Sequence, residues 1–276
     1  MQINCRGQLI DLSEPQLMGI LNRTPDSFYA SSRSTDLTDF LKQAEKQLEE
    51  GALFLDVGGY SSRPGADDVS EEEEIKRVVP AIEALIKRFP QALISIDSFR
   101  SADARRALEA GAHLINDISG GQRDPAMWEV ARELQVPYIA MHMRGTPQTM
   151  QQQTEYSDLM KDLLLYFSQL KSKAASLGLN DLIIDPGFGF AKNREQNFQM
   201  LAQLELLHSL RLPLLIGLSR KSMIYKTLET TPEKALNGST ALHAIALHKG
   251  AQIIRTHDVA EAGECVRLVR EMAQFS

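Results

Sequence analysis

The stretch Leu93-Ile94-Ser95-Ile96-Asp97-Ser98, followed by an amphipathic segment over 102–110 and then by His113-Leu114-Ile115-Asn116-Asp117-Ile118, decides the fold. A short β-branched run, a helix-period segment and a second short run form one strand–helix–strand unit, and both runs end on an acid or amide. Outward from it the same unit repeats. The runs lie at 17–21, 53–57, 93–96, 113–118, 137–141, 182–184, 213–217 and 252–255. Between and after them fall amphipathic segments at 37–50, 71–88, 102–110, 126–134, 156–177, 195–207, 232–249 and 260–274. Strict alternation implies parallel strands joined by helical crossovers. Eight such units without a linker rich in Pro, Gly or Ser predict a closed (β/α)8 TIM barrel over 1–276, one domain, in preference to a doubly wound open sheet. Residues 1–16 precede the first unit and are expected to form a small hairpin over the barrel floor.

Bulk properties agree with a folded α/β enzyme. The 43% hydrophobic and 24% charged content suits a buried core and excludes disorder. A net charge of −6 argues against a nucleic-acid surface, so anionic ligands must be caught locally. No stretch reads as a signal peptide or a membrane span, which predicts a cytoplasmic chain with no membrane partner. Cys5 and Cys265 form no metal-ligand cluster and read as packing residues. The acidic run Glu71–Glu74 reads as the solvated first turn of a helix.

Barrel chemistry gathers where the strands end at their C-termini. Those ends carry Asn22, Asp56, Asp97, Asn116 with Asp117, His142, Asp185, Ser219 to Lys221, and Arg255 with His257. Acids and amides at strand ends are common as caps and turns, but eight polar ends together predict a ligand site. Asp97, Asn116 and Asp185 could read the donors and acceptors of a heterocycle. Asn22, Arg255 and His257, on the first and last strands, form a second group suited to phosphate, spatially separable from the first. Lys221 follows the seventh strand at the start of a helix, where it stays charged beside carboxylates and can donate to a carbonyl or ring nitrogen; Ser222 could meet a carboxylate. Asp185-Pro186-Gly187-Phe188-Gly189-Phe190 combines two glycines with aromatic rings, so Phe190 can line a flat ligand. Met141 is a candidate wall and His142 is undecided. No Walker motif, zinc signature or dinucleotide fingerprint is present, although a hard cation held by Asn22 and phosphate oxygens is compatible with the pattern.

The chain resembles the dihydropteroate synthases over nearly its whole length. The resemblance rests on Met18-Gly19-Ile20-Leu21-Asn22-Arg23-Thr24-Pro25-Asp26-Ser27-Phe28, Asp56-Val57-Gly58-Gly59, Ser61-Ser62-Arg63-Pro64-Gly65 and Ser95-Ile96-Asp97-Ser98. It continues through Ile115–Ile118, Met141-His142, Asp185–Phe190, Ser219–Ser222 and Arg255-Thr256-His257. It implies condensation of 6-hydroxymethyl-7,8-dihydropterin diphosphate with p-aminobenzoate in folate synthesis, the reaction that sulfonamides target. Carried over by position, it implies a pterin site at Asp97, Asn116, Met141, Asp185, Phe190 and Lys221. It implies diphosphate binding by Asn22, Arg63, Arg255 and His257, with Mg2+ at Asn22. The p-aminobenzoate walls would be Phe28, Ser62, Pro64, Phe190, Lys221 and Ser222. Asp97, Lys221, Arg255 and His257 would carry the catalysis, and a homodimer through the C-terminal helices is implied.

The chain departs from the family pattern at Tyr29-Ala30-Ser31-Ser32, where Ala30 replaces a usual acid, and at Tyr60 and Ser62. Three alternatives remain: a pterin-binding barrel without turnover, a methyltetrahydrofolate-binding methyltransferase domain, and a Schiff-base aldolase. The cluster of Arg63, Arg255 and His257 disfavours the second. The position of Lys221 after its strand, not within it, disfavours the third.

Overall fold

A computed structural model of the chain describes residues 1–23, 33–60 and 69–275. It opens with β1 (Gln2–Cys5) and β2 (Gln8–Asp11), an antiparallel hairpin whose two-residue turn, Arg6-Gly7, holds both residues at positive φ. That geometry is the one whose twist matches paired strands. Eight parallel strands follow: β3 (Gln16–Asn22), β4 (Phe54–Gly58), β5 (Leu93–Asp97), β6 (Leu114–Asp117), β7 (Tyr138–Met141), β8 (Leu182–Asp185), β9 (Leu215–Ile216) and β10 (Ile253–Thr256). Their order is β8-β7-β6-β5-β4-β3-β10-β9. A parallel bridge between Ile184 and Leu214, with the Ile184 amide donating to the Pro213 carbonyl at 2.9 Å, joins the two ends. The sheet is therefore a closed barrel, as the alternation predicted.

The helices that follow the strands are α1 (Arg33–Glu49), α2 (Glu71–Arg88), α3 (Ser101–Glu109), α4 (Met127–Leu134), α5 (Leu159–Leu177), α6 (Arg194–Ala202), α8 (Leu236–His248) and α9 (Val259–Ala273), all but the last crossing over to the next strand. A short helix, α7 (Ser222–Thr227), precedes α8 and opens directly after Lys221, where a helix start was expected. Pro232 explains the break, because proline cannot continue a helix that began upstream of it; it starts a separate 3-10 turn. The expected segment at 195–207 likewise divides into α6 and a 3-10 turn over Leu204–Leu210. Caps set several starts: Ser70 accepts from the Glu73 amide, Asp158 from that of Lys161, and Asn193 forms a capping box with Gln196. No helix among the described residues is long and apolar enough to cross a membrane.

Two apolar layers hold the barrel. Outward side chains such as Leu55, Ile94, Ile115 and Ile184 pack under the helices. Inside, Met18, Phe54, Leu93, Leu114, Ile139, Ile183, Leu215 and Ile253 fill the floor and meet Ile3, Cys5, Ile10 and Leu12 of the N-terminal hairpin. The hairpin thus plugs the end opposite the chemistry, and Arg6 fastens it through Nη1 to the carbonyls of Leu108 and Ala112. Both cysteines are buried and free, as expected of packing residues.

The first turn of α2 is only partly the solvated run that its composition suggests. Glu71 to Glu73 are exposed, but Glu74 is fully buried and ion-paired with Arg100. Its position on the inner face of α2 turns it from solvent toward the loop ends above β4 and β5. There Arg100 also donates to the Val69 carbonyl and packs over Tyr60 and Phe99. Tyr60 is in turn edge-on to Phe99 and accepts from Gln148.

Candidate active site

Strand side chains alternate between faces, so the residue two positions after each floor residue also points inward, one layer higher. Phe54 thus leads to Asp56, Leu93 through Ser95 to Asp97, and Leu114 to Asn116. Ile139 leads to Met141, Ile183 to Asp185, Ile253 to Arg255 and Met18 through Ile20 to Asn22. The same period that packs the floor delivers a polar layer to the mouth.

In that layer Arg255 donates from Nε to Asp56 Oδ2 and from Nη2 to Asp97 Oδ2, each at 2.5 Å. Asn116 Nδ2 donates to Asp56 Oδ2 at 2.9 Å. The pterin-type and phosphate-type groups expected to be separable therefore meet, because Arg255 reaches across from β10 to β4 and β5. Asp56, noted only as a strand end, stands at the centre of this network; it is fully buried, and its Oδ1 has no hydrogen-bond partner among the described residues. Burial pushes the Asp97 carboxyl up to about 7, against the opposing pull of Arg255 and with a smaller push from Asp56. Burial also disfavours the charge on Arg255, but its two carboxylates outweigh this and hold it firmly protonated.

Across the mouth, Asp185 Oδ1 accepts from the Gly187 amide at 2.7 Å. Burial raises the Asp185 carboxyl, and Lys221 is the main cation opposing that rise. Lys221 donates from Nζ to the Phe188 carbonyl and sits 4.9 Å over the Phe190 ring. Burial lowers the Lys221 ammonium to about 8. The loop after β8 depends on Gly187, whose φ is +73° and whose added Cβ would collide with the His142 carbonyl oxygen. Phe190 packs beside Met141 in an apolar cluster with Tyr60, Phe99, Ile118, Met143 and Met150, giving the mouth one greasy wall.

The loops after β9 and β10 are tied together. Arg220, at φ +52°, forks onto Asp258 at 2.7 and 2.8 Å and donates to the carbonyls of Pro232 and Glu233. Its amide donates to Ser239 Oγ. This clamp sets Lys221 as the N-cap of α7 and brings Ser219 Oγ to 3.2 Å from His257 Nδ1. His257 and Ser222 are exposed, and Asn22 is half-buried at the end of β3. Asp117 turns away from the mouth and braces its own loop, its carboxylate accepting from the amides of Ser119 and Gly121 and from the Tyr138 hydroxyl. Phe28, Ser62, Arg63 and Pro64, with Ala30, Ser31 and Ser32, lie outside the described residues.

His142, which the sequence left undecided, and Lys192, which it passed over, also belong to this region. His142 and Lys192 are both buried, and Lys192 Nζ lies 3.1 Å from His142 Nδ1. Lys192 directly follows the glycine–aromatic loop, which was the available signal.

Residues 18–257 match the model of a family described as pterin binding enzyme. The chain is 43% identical over 271 residues to the dihydropteroate synthase of Escherichia coli, covering 98% of this chain and 95% of that protein. The crystal structure of the Yersinia pestis dihydropteroate synthase with a sulfonamide drug complex is 44% identical. It superposes with a TM-score of 0.93 over 99% of this chain and 100% of that one. The Xanthomonas albilineans dihydropteroate synthase with 4-aminobenzoic acid is 36% identical, with a TM-score of 0.91 over 99% of this chain and 98% of that one. With a closed barrel, a polar mouth on the family's motif residues and this likeness along its full length, the chain belongs to the dihydropteroate synthase family of pterin-binding enzymes.

Proposed function

We propose that this chain, as a single barrel domain over 1–276, condenses 6-hydroxymethyl-7,8-dihydropterin diphosphate with p-aminobenzoate to give 7,8-dihydropteroate and diphosphate. The observation that carries the reading is the pairing across one barrel mouth of Asp185 beside Lys221 with the Asp56–Asp97–Asn116–Arg255 network. These groups supply carboxylate acceptors, an amide and cations to a flat heterocycle, while Met141 and Phe190 offer its faces an apolar wall. Arg255, His257 and Asn22, with Arg63, would take the diphosphate. Phe190, Lys221 and Ser222, with Phe28, Ser62 and Pro64, would take p-aminobenzoate.

Among the described residues no group of three His, Cys, Asp or Glu could hold a metal. The donor set nevertheless fits Mg2+ in another mode. Asn22 offers a neutral amide oxygen at the mouth, and Mg2+ commonly takes few protein oxygens while substrate phosphates and water supply the rest. Bound there, Mg2+ would neutralise charge on the diphosphate.

Arg255 and His257 would balance the negative charge that grows on the diphosphate as the bond from the pterin methylene to oxygen breaks with its electron pair. The ionised carboxylates of Asp97 and Asp185 would stabilise the cation left on the pterin. The aromatic amine, neutral near pH 7, then forms the new C–N bond and gives up one proton, so the protein mainly orients and balances charge. This order is dissociative. Diphosphate release that strictly required p-aminobenzoate, with no pterin cation trapped, would overturn it.

The apolar side chains of Leu228, Ile245 and Leu268, exposed toward the C-terminal half, support a homodimer through these helices, to be measured by light scattering. A cytoplasmic location is part of the same reading. The decisive assay mixes the protein with the pterin diphosphate, p-aminobenzoate and Mg2+ and follows dihydropteroate and diphosphate. Pterin binding without product would instead identify a non-catalytic pterin-binding barrel.

A further inference from the structure

Lys192 is 3% exposed and carries no substrate role in the reading above. Its Nζ lies 3.1 Å from His142 Nδ1, 3.1 Å from the Gly187 carbonyl oxygen and 3.0 Å from that of Phe190. An ammonium has three protons to donate, and four acceptors surround this one, the fourth being the His142 carbonyl oxygen at 3.5 Å. His142, itself 4% exposed, packs edge-on against Tyr166 at 4.9 Å. Facing a protonated Lys192, which can only donate, the ring accepts at Nδ1 and carries its own proton on Nε2.

The two carbonyls belong to the turn that forms one side of the mouth. The Phe190 amide closes that turn onto the Gly187 carbonyl, and Asn197 Oδ1 accepts from the Gly189 amide at 2.7 Å. On the mouth side of the same turn lie the Asp185 carboxylate on the Gly187 amide, Lys221 on the Phe188 carbonyl, and the Phe190 ring. Lys192 therefore grips from behind the loop that Asp185 and Lys221 engage from the front. A buried apolar chain of the same length would fill this space without the cost of desolvating a charge, so volume alone does not explain a lysine here.

We propose that Lys192, held by neutral His142, is a positioning residue for the pterin pocket: as a buried cation it fixes the Gly187–Phe190 turn and favours the ionised form of Asp185. This rests on the pterin-binding reading above. The charged groups facing Asp185 are Lys221, Arg255 and Lys192, and those facing Lys192 are Asp185, Lys221 and Arg144. Burial lowers His142 to about 2, in keeping with a neutral acceptor ring, and lowers the Lys192 ammonium to about 7, so its cationic grip is present below that pH and fades above it.

The test compares wild type with Lys192→Met, His142→Leu and His142→Asn, whose Oδ1 can replace Nδ1 as an acceptor. Affinity for the pterin diphosphate is measured by calorimetry from pH 5 to pH 8, alongside KM and kcat. Lys192→Met is expected to raise KM for the pterin at least about tenfold while kcat at saturation stays within about twofold. Its acid limb of pterin affinity should move to higher pH, because Asp185 has lost a cation that lowered its pKa. His142→Leu should weaken pterin binding, and His142→Asn should restore most of it. Unchanged affinity and an unmoved acid limb in Lys192→Met would overturn the proposal. Nitrogen NMR of His142 in wild type reads independently of any variant's folding: a proton on Nε2 supports the proposal, and a proton on Nδ1 overturns it. Failure of wild type to bind the pterin would instead defeat the functional reading.

Discussion

Arg255 Nη2 donates to Asp97 Oδ2 across 2.5 Å, and the same guanidinium holds Asp56 at 2.5 Å through Nε. One side chain from the last strand thereby keeps two inward carboxylates together on neighbouring strands. Like charges so placed need a cation between them, and the planar fork of arginine can serve both. The group assigned to the leaving diphosphate thus also braces the carboxylates assigned to the pterin.

Replacing Arg255 by methionine should therefore damage more than diphosphate binding. It leaves Asp56, fully buried, and Asp97 without their shared cation. The expected loss of stability at pH 8 is about 3 kcal/mol, the usual scale when one partner of a buried pair is removed. Chemical denaturation should show it, and pterin affinity should fall with it.

Asp97→Asn should separate stability from function. The folded carboxyl of Asp97 is raised to about 7, above its unfolded value near 3.8. Such a group favours the folded state below the unfolded value, and that contribution is lost as pH rises through about 7. The amide variant should accordingly gain about 2 °C or more in Tm relative to wild type at pH 8, with the gain shrinking at pH 5. Its pterin affinity should nonetheless drop sharply. Paired thermal scans and calorimetry at the two pH values check both halves.

Lys221 sets the alkaline side. Burial lowers its ammonium to about 8, so its charge is present below that pH and fades above it. Pterin affinity should decline as pH rises through about 8. Lys221→Ala should abolish detectable pterin binding, and pterin affinity equal to wild type would reject its assignment.

Gly187→Ala tests the turn directly. A side chain there meets the His142 carbonyl and must adopt φ +73°. The collision displaces the turn that carries Phe190 and presents the Phe188 carbonyl to Lys221. The variant should lose at least about 2 kcal/mol of stability and most of its pterin affinity, measurable by denaturation and calorimetry.

Arg100→Ala should strand Glu74, which is fully buried and has a carboxyl raised by burial to about 7 even with Arg100 present. The destabilisation should be about 3 kcal/mol at pH 8 and should ease as pH falls below 7, where Glu74 takes up a proton. Equal destabilisation at pH 8 and pH 5 would show that the charge on Glu74 is not the cause.

Much of this protein was readable along the chain. Each barrel strand needs a short apolar run and each crossover an amphipathic segment, and both are local patterns; the eight strands therefore fell where the runs were. The acids and amides that end them were legible for the same reason, since side-chain alternation ties a polar mouth position to an apolar floor position two or four residues earlier. The glycine–aromatic loop and the segment around Lys221 were visible by composition.

The partnerships were not visible, because they join residues far apart in the chain that only barrel closure brings together. Asp56 and Arg255 are separated by 199 positions and meet across the mouth. Glu74 looks like its three exposed acidic neighbours until α2 turns it inward. Lys192 reads as an ordinary loop lysine until the turn after β8 folds over it and β7 supplies His142. Local patterning determined the barrel and the chemical character of its rim. Tertiary packing decided which charges neutralise one another, because burial removes water as a partner and leaves each buried charge dependent on the groups the closed barrel places beside it.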